Sequence, residues 1–129
     1  MNKKEIRQII QETVDTTILK LKAADLLKSN TKTAYEKTEA LLYQYNSLRR
    51  VQQPYAQKVV AEIDACMAEI ANDPYRDVIP LYYFEGYTNA ACASELGCEE
   101  RTARRNRTKF VQQFASRLAS EDFIRELLL

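Results

Sequence analysis

Apolar residues recur at three- and four-residue intervals along nearly the whole chain, and no run of β-branched residues alternates with polar ones between turn clusters. That pattern predicts an all-α protein. A first amphipathic helix is predicted over residues 3 to 28, its apolar side supplied by Ile6, Ile9, Ile10, Ile18, Leu19, Leu26 and Leu27, with Ser29-Asn30-Thr31 breaking it. From about Lys32 to Ala71 the four-three spacing of positions 41, 45, 48, 52, 55, 59, 62, 66 and 69 resembles a heptad seam. Leu41, Tyr45, Leu48, Tyr55, Val59 and Cys66 fit it, whereas Gln52, Glu62 and Glu69 do not, and Ile63 and Ile70 stand ready to replace them after a small rotation. Pro54 lies in the middle. Without an amide donor it either kinks one long helix or opens a second that folds back, so an intramolecular hairpin and a dimerising coiled coil both fit this half.

Asn72-Asp73-Pro74 marks a boundary, dividing a helical N-terminal region, 1–72, from a C-terminal module, 73–129. Asp73 can cap a helix running to about Glu85, with Pro74 in its first turn and Pro80 bending it or starting a second short segment. Gly86 suits a left-handed cap, and Thr88 is an N-cap for a helix over Asn89 to Leu96. Gly97 supplies a sharp turn. At about one hundred degrees per residue, the following helix, 99–118, gathers Arg101, Arg104, Arg105 and Thr108 on one side and Ala103, Phe110, Phe114 and Leu118 roughly opposite. Glu121, Asp122 and Glu126, with Phe123, Ile124 and the terminal leucines, form a last helix that packs back on the module.

Charge sharpens this reading. Residues 99 to 117 carry Arg101, Arg104, Arg105, Arg107, Lys109 and Arg117 against Glu99 and Glu100, a surplus of four, while the whole chain is at only +1. One localised polyanion-facing helix is therefore expected rather than a generally basic surface. The arginine fork can donate twice to guanine O6 and N7, which discriminates that base by about 1–3 kcal/mol. Arg107 falls on the apolar side of the wheel. It is expected to snorkel to a phosphate or to pair with an acid of the module's first helix, not to read a base. Lys109 and Arg117 are assigned to phosphates. The candidate DNA-contacting residues are Thr88, Arg101, Thr102, Arg104, Arg105, Thr108 and Lys109.

The order Asp73-Pro74-Tyr75, Ile79-Pro80-Leu81-Tyr82-Tyr83-Phe84-Glu85-Gly86-Tyr87-Thr88, Glu95-Leu96-Gly97-Cys98 and Thr102-Ala103-Arg104-Arg105-Asn106-Arg107 resembles the ArpU and RinA-like phage transcriptional regulators. The resemblance covers about residues 73 to 118. It implies a C-terminal helix-turn-helix similar to sigma-factor region 4 and a role in regulating late phage genes, such as those for packaging or lysis. The chain departs from that pattern at Asn89-Ala90-Ala91, where acids are common, and at Cys92 and Ala103, where larger aliphatics are common; the smaller residues should thin the module's core.

Remaining composition narrows the alternatives. Histidine is absent, as are a glycine-rich phosphate loop and any carboxylate constellation beyond scattered helix-surface acids, so no enzyme and no cofactor is expected. Cys66, Cys92 and Cys98 make a poor metal set and are expected as buried free thiols in a reducing compartment. The eight tyrosines, set beside leucine and valine at helical spacing, read as core with a wet edge. No apolar stretch approaches the ~18 residues of a membrane span and the N-terminus lacks a signal-peptide core, so a cytoplasmic location without membrane contact is expected. Double-stranded DNA is the expected partner, with RNA polymerase and a second copy of the chain as further candidates. The rival readings are a small terminase-like packaging protein, in which the DNA-binding unit usually comes first, and a helical adaptor whose basic helix meets an acidic protein.

Overall fold

In the computed structural model, residues 2–8 and 32–128 are described, and all their regular structure is helical. Residues 3–8 are helical, but the rest of the expected first helix, and the break at 29–31, lie outside the described residues. Then follow α1 (Ala34–Arg49), α2 (Pro54–Glu69), a π turn (Pro80–Phe84), α3 (Asn89–Leu96), α4 (Glu100–Leu118) and α5 (Glu121–Leu128). No helix among the described residues is long and apolar enough to cross a membrane.

Thr33 starts α1 with a reciprocal cap. Its Oγ1 accepts the Glu36 N–H at 3.1 Å, and the Glu36 carboxylate accepts the Thr33 N–H at 3.3 Å, which satisfies two of the amides a helix start leaves open. At Pro54 the chain folds back instead of kinking: Arg50–Gln53 link two separate helices that pack on each other, and Pro54 occupies the first position of α2, where its missing N–H costs nothing. The four-three seam is therefore used within one chain. Leu41, Leu48, Val59 and Cys66 are buried, Tyr45 and Tyr55 half-buried, and Ile63 and Ile70 take the buried places that Glu62 and Glu69 cannot.

The expected helix over residues 74 to 85 is replaced by something less regular. Asp73 does cap the segment, its Oδ1 accepting the Tyr75 N–H at 2.8 Å, but residues 74–77 form turns closed by three-residue bonds such as Val78 N–H to Tyr75 C=O at 3.1 Å. Pro80 has no N–H for the carbonyl of Arg76, so that rung of the ladder is missing, although Leu81 N–H still reaches the Asp77 carbonyl at 3.0 Å. The turn widens, and Glu85 N–H reaches five residues back to the Pro80 carbonyl at 2.9 Å. Gly86, at φ +74°, then reverses the chain.

One apolar core runs across the boundary at residues 72 to 74. Leu41 and Leu42 of α1, Val59, Ile63 and Cys66 of α2, Val78 and Ile79, Tyr83 of the π turn, and Ala103, Phe110, Val111, Phe114 and Leu118 of α4 belong to a single buried cluster. Both helices of the hairpin pack on α4. The small buried residues Cys92 and Ala103 leave the α3–α4 unit little apolar volume of its own, and α1 and α2 supply what it lacks. As expected, α5 packs back, burying Phe123 and Leu127; Ser120 caps it through the Phe123 N–H at 3.1 Å.

Candidate nucleic-acid interface

The α3–α4 unit is assembled by two short-range devices. Thr88, in extended conformation, accepts the Ala91 N–H on its Oγ1 at 3.1 Å and so fixes the start of α3. Gly97, at φ +65°, ends it: Cys98 N–H returns to the Ala93 carbonyl at 3.0 Å, and within Gly97–Glu99 the chain enters α4. The positive φ is the reason for glycine here, since an added Cβ would meet nothing within 4 Å.

The nineteen-residue α4 has two chemically opposite sides. Ala103, Phe110, Val111, Phe114 and Leu118 are at most 1% exposed and anchor it in the core. On the outer side Arg101, Arg104, Arg105, Thr108, Lys109 and Gln112 line one shallow groove. Among the described residues Arg101, Arg104 and Arg105 meet no carboxylate. Three guanidinium groups within five residues of one helix repel one another, and no ion pair among the described residues compensates them. A polyanion would.

Five of the seven sequence-chosen residues are brought together in this groove, and two are not. Thr88 is exposed, but its hydroxyl is committed to capping α3 and it does not line the groove. Thr102 is half-buried on the flank of α4, where its carbonyl accepts Asn106 Nδ2 at 2.9 Å. Lys109 is only lightly tethered: its ammonium lies 3.5 Å from Asp73 Oδ2 and 4.9 Å from the Phe110 ring centre, with 57% of the side chain exposed.

Two expectations for the basic residues are corrected. Arg117 does not face outward toward a phosphate. Its Nε donates to Glu62 Oε1 at 2.8 Å and its terminal nitrogen to Glu69 Oε1 at 2.5 Å, clamping α4 to α2. That guanidinium, with a weaker 3.4 Å bond from Gln113, holds the Glu69 carboxyl below its ordinary range. Arg107 pairs with no acid among the described residues. Its guanidinium carbon lies 3.7 Å from the Tyr82 ring centre, its terminal nitrogen donates to Asn89 Oδ1 at 2.5 Å, and its buried Nε has no partner. A half-buried cation, without a counter-charge among the described residues, thus joins α4 to the start of α3 and to the π turn. The wheel placed Arg107 on the inner side correctly; its partners, 18 and 25 positions away, carry no sequence signal.

Tyr83 is buried and Tyr35, Tyr45, Tyr55, Tyr75 and Tyr82 pack half-buried against the core, as expected, whereas Tyr43 and Tyr87 are exposed. Tyr83 donates to Glu39 Oε2 and Tyr45 to Asp64 Oδ1, each at 2.6 Å. Burial first, and then the accepting carboxylate, push both phenols up, Tyr45 to about 12. All three cysteines are free; Cys66 and Cys92 are buried and Cys98 half-buried, and burial pushes the Cys66 thiol up to about 12. No protein-family model, curated protein or solved structure matches the chain.

Proposed function

We propose that this protein is a sequence-specific DNA-binding transcriptional regulator that uses α3, the Gly97 turn and α4 as a helix-turn-helix and reads the major groove with the outer side of α4. The observation that carries this reading is the unpaired Arg101, Arg104 and Arg105 triad, presented with Thr108 and Lys109 on a helix whose other side is locked in the core. A rigid backing favours the reading, because a reading helix must hold its side chains in register with base edges. Arg101, Arg104 and Arg105 are assigned to guanine edges or phosphates, Thr108 to a base edge and Lys109 to a phosphate. Thr88 is retained as a phosphate contact through the amides at the start of α3, which its own side chain organises. Thr102 belongs to the flank.

The resemblance to ArpU and RinA-like regulators is the ground for the finer proposal that the targets are late genes of a phage or prophage and that the protein works in a bacterial cytoplasm. The N-terminal helices are the proposed route to transcriptional output, through a second copy or RNA polymerase. No catalysis enters this function.

The test is selection from a random duplex pool at near-physiological salt with the wild-type chain and the Arg101→Ala, Arg104→Ala, Arg105→Ala triple variant. Helicity and unfolding midpoint of the variant are checked first, since all three side chains are exposed and their loss should leave the fold intact. A motif enriched by the wild type and lost in the variant supports the reading. A wild type that binds no DNA even at low salt refutes it and leaves the adaptor reading.

A further inference from the structure

We propose that the groove formed by the C-terminal turn of α1, the π turn and the end of α3 is a docking site for a basic amphipathic helix of another protein. The groove has a volume of about 470 Å³ and shares no residue with the arginine-lined side of α4. Its floor is apolar: Pro80, Leu81 and Phe84 of the π turn, Tyr45 of α1 and Leu96 of α3, all half-buried. Tyr45 stacks on Phe84 with ring centres 4.2 Å apart, and Asn46 Nδ2 donates to the Phe84 carbonyl at 2.6 Å, so the floor is held in place. Pro80, Leu81 and Phe84 belong to the wider turn that follows the missing amide of Pro80, and each is only half-buried there.

The rim determines what can lie there. Asp77, Glu85 and Glu95 border the groove against one cation, Arg49, whose guanidinium sits 5.5 Å from the Tyr45 ring centre. Among the described residues Glu85 and Glu95 meet no cation, and Asp77 has only a loose 4.0 Å contact with Arg76, both side chains well exposed. In a chain of net charge +1, two unpaired carboxylates and a loosely paired third around half-buried apolar side chains are complementary to lysines or arginines flanking an apolar anchor. It also repels nucleic acid. The described residues offer no sheet edge for an added strand, and an amphipathic helix laid in the groove would set one or two large apolar residues on the floor and basic residues over the rim. A second copy presenting its own α4 is the competing occupant.

The site stands apart from the DNA reading, and its test needs no DNA. Fluorescence anisotropy at near-physiological salt compares two labelled probe peptides about four turns long, one a leucine–lysine amphipathic helix and the other its leucine–glutamate counterpart, against the full chain and the Glu85→Lys, Glu95→Lys double variant. Both substituted side chains are exposed, and the variant's unfolding midpoint is measured alongside. The expected result is that the wild type prefers the lysine probe and the variant binds it at least about tenfold more weakly while gaining the glutamate probe, with wild-type amide shifts centred on Leu81, Phe84 and Leu96. Equal binding of the lysine probe by both proteins, or shifts centred elsewhere, overturns the proposal. So does wild-type self-association in sedimentation that the double variant abolishes, which assigns the groove to a second copy.

Discussion

Replacing Arg107 with methionine keeps an unbranched apolar stem of similar length and removes the cation. The balance can be drawn from the geometry. Lost are a charge-assisted hydrogen bond to Asn89 at 2.5 Å, typically about 1.5–3 kcal/mol, and a partly desolvated cation–π contact with Tyr82 at 3.7 Å, about 1–2 kcal/mol. Relieved is the buried Nε without a partner, a penalty of about 1–3 kcal/mol, and the thioether regains about 0.3–1.5 kcal/mol against the ring. The net expectation for Arg107→Met, from the centres of these ranges, is a destabilisation of about 1 kcal/mol. Chemical denaturation followed by circular dichroism measures it as a lowered midpoint at unchanged slope. A double-mutant cycle with Asn89→Ala should give a coupling of about 1 kcal/mol. A variant as stable as the wild type, or strict additivity with Asn89→Ala, would refute the claim that this contact holds α3 and α4 together. DNA binding separates positioning from contact: under the proposed function Arg107→Met weakens binding without changing its salt dependence, whereas Lys109→Ala lowers the slope by about 0.9.

Phe114 is fully buried in α4, so Phe114→Ala should cost about 3–5 kcal/mol, measured by denaturation; a loss below about 1 kcal/mol would mean that α4 is not packed as described. Gly97→Ala should lower stability by about 1 kcal/mol through backbone strain alone, since a Cβ there meets no neighbour within 4 Å, and Gly97→Asn should cost less. For the Arg117 clamp the sign follows from the Glu69 carboxyl, held lower in the folded than in the unfolded chain by Arg117 and Gln113. Its contribution is present above the ordinary carboxylate range and fades as pH falls through the lowered folded value, so the thermal midpoints of wild type and Glu69→Gln should differ at neutral pH and converge on acidification. A difference that persists unchanged in acid would show that the charge on Glu69 does not matter.

The parts of this fold that follow from neighbours in sequence are readable in advance. Thr88, Asn89 to Leu96 and Gly97 bound α3 because a capping hydroxyl and a positive-φ glycine act over three or four residues. The same logic covers Thr33-Ala34-Tyr35-Glu36, whose capping-box spacing is the signal for the start of α1 and stands two residues beyond the break expected at Ser29-Asn30-Thr31. Pro80 announced a disturbance but not its form. Whether the ladder breaks or widens there depends on the Glu85 amide finding the Pro80 carbonyl, with Tyr83 tied to Glu39 of α1 at 2.6 Å.

Pro54 is compatible with a kinked helix and with a hairpin on local grounds alone; the hairpin is what lets Leu41, Leu42, Val59 and Ile63 share one core with Phe110 and Phe114. The cationic helix shows the same division. Sequence alone determined that α4 is helical, that one of its sides is apolar and that its polar side is rich in arginine, because a 3.6-residue period is a local property. Which of those arginines stay free was decided only by tertiary structure. Arg117 meets Glu62 and Glu69, 55 and 48 positions away, and Arg107 meets Asn89, while Arg101, Arg104 and Arg105 meet no carboxylate among the described residues. Charge pairing is settled by distance in space, which only the packing of α2, α3 and the π turn around α4 brings into being.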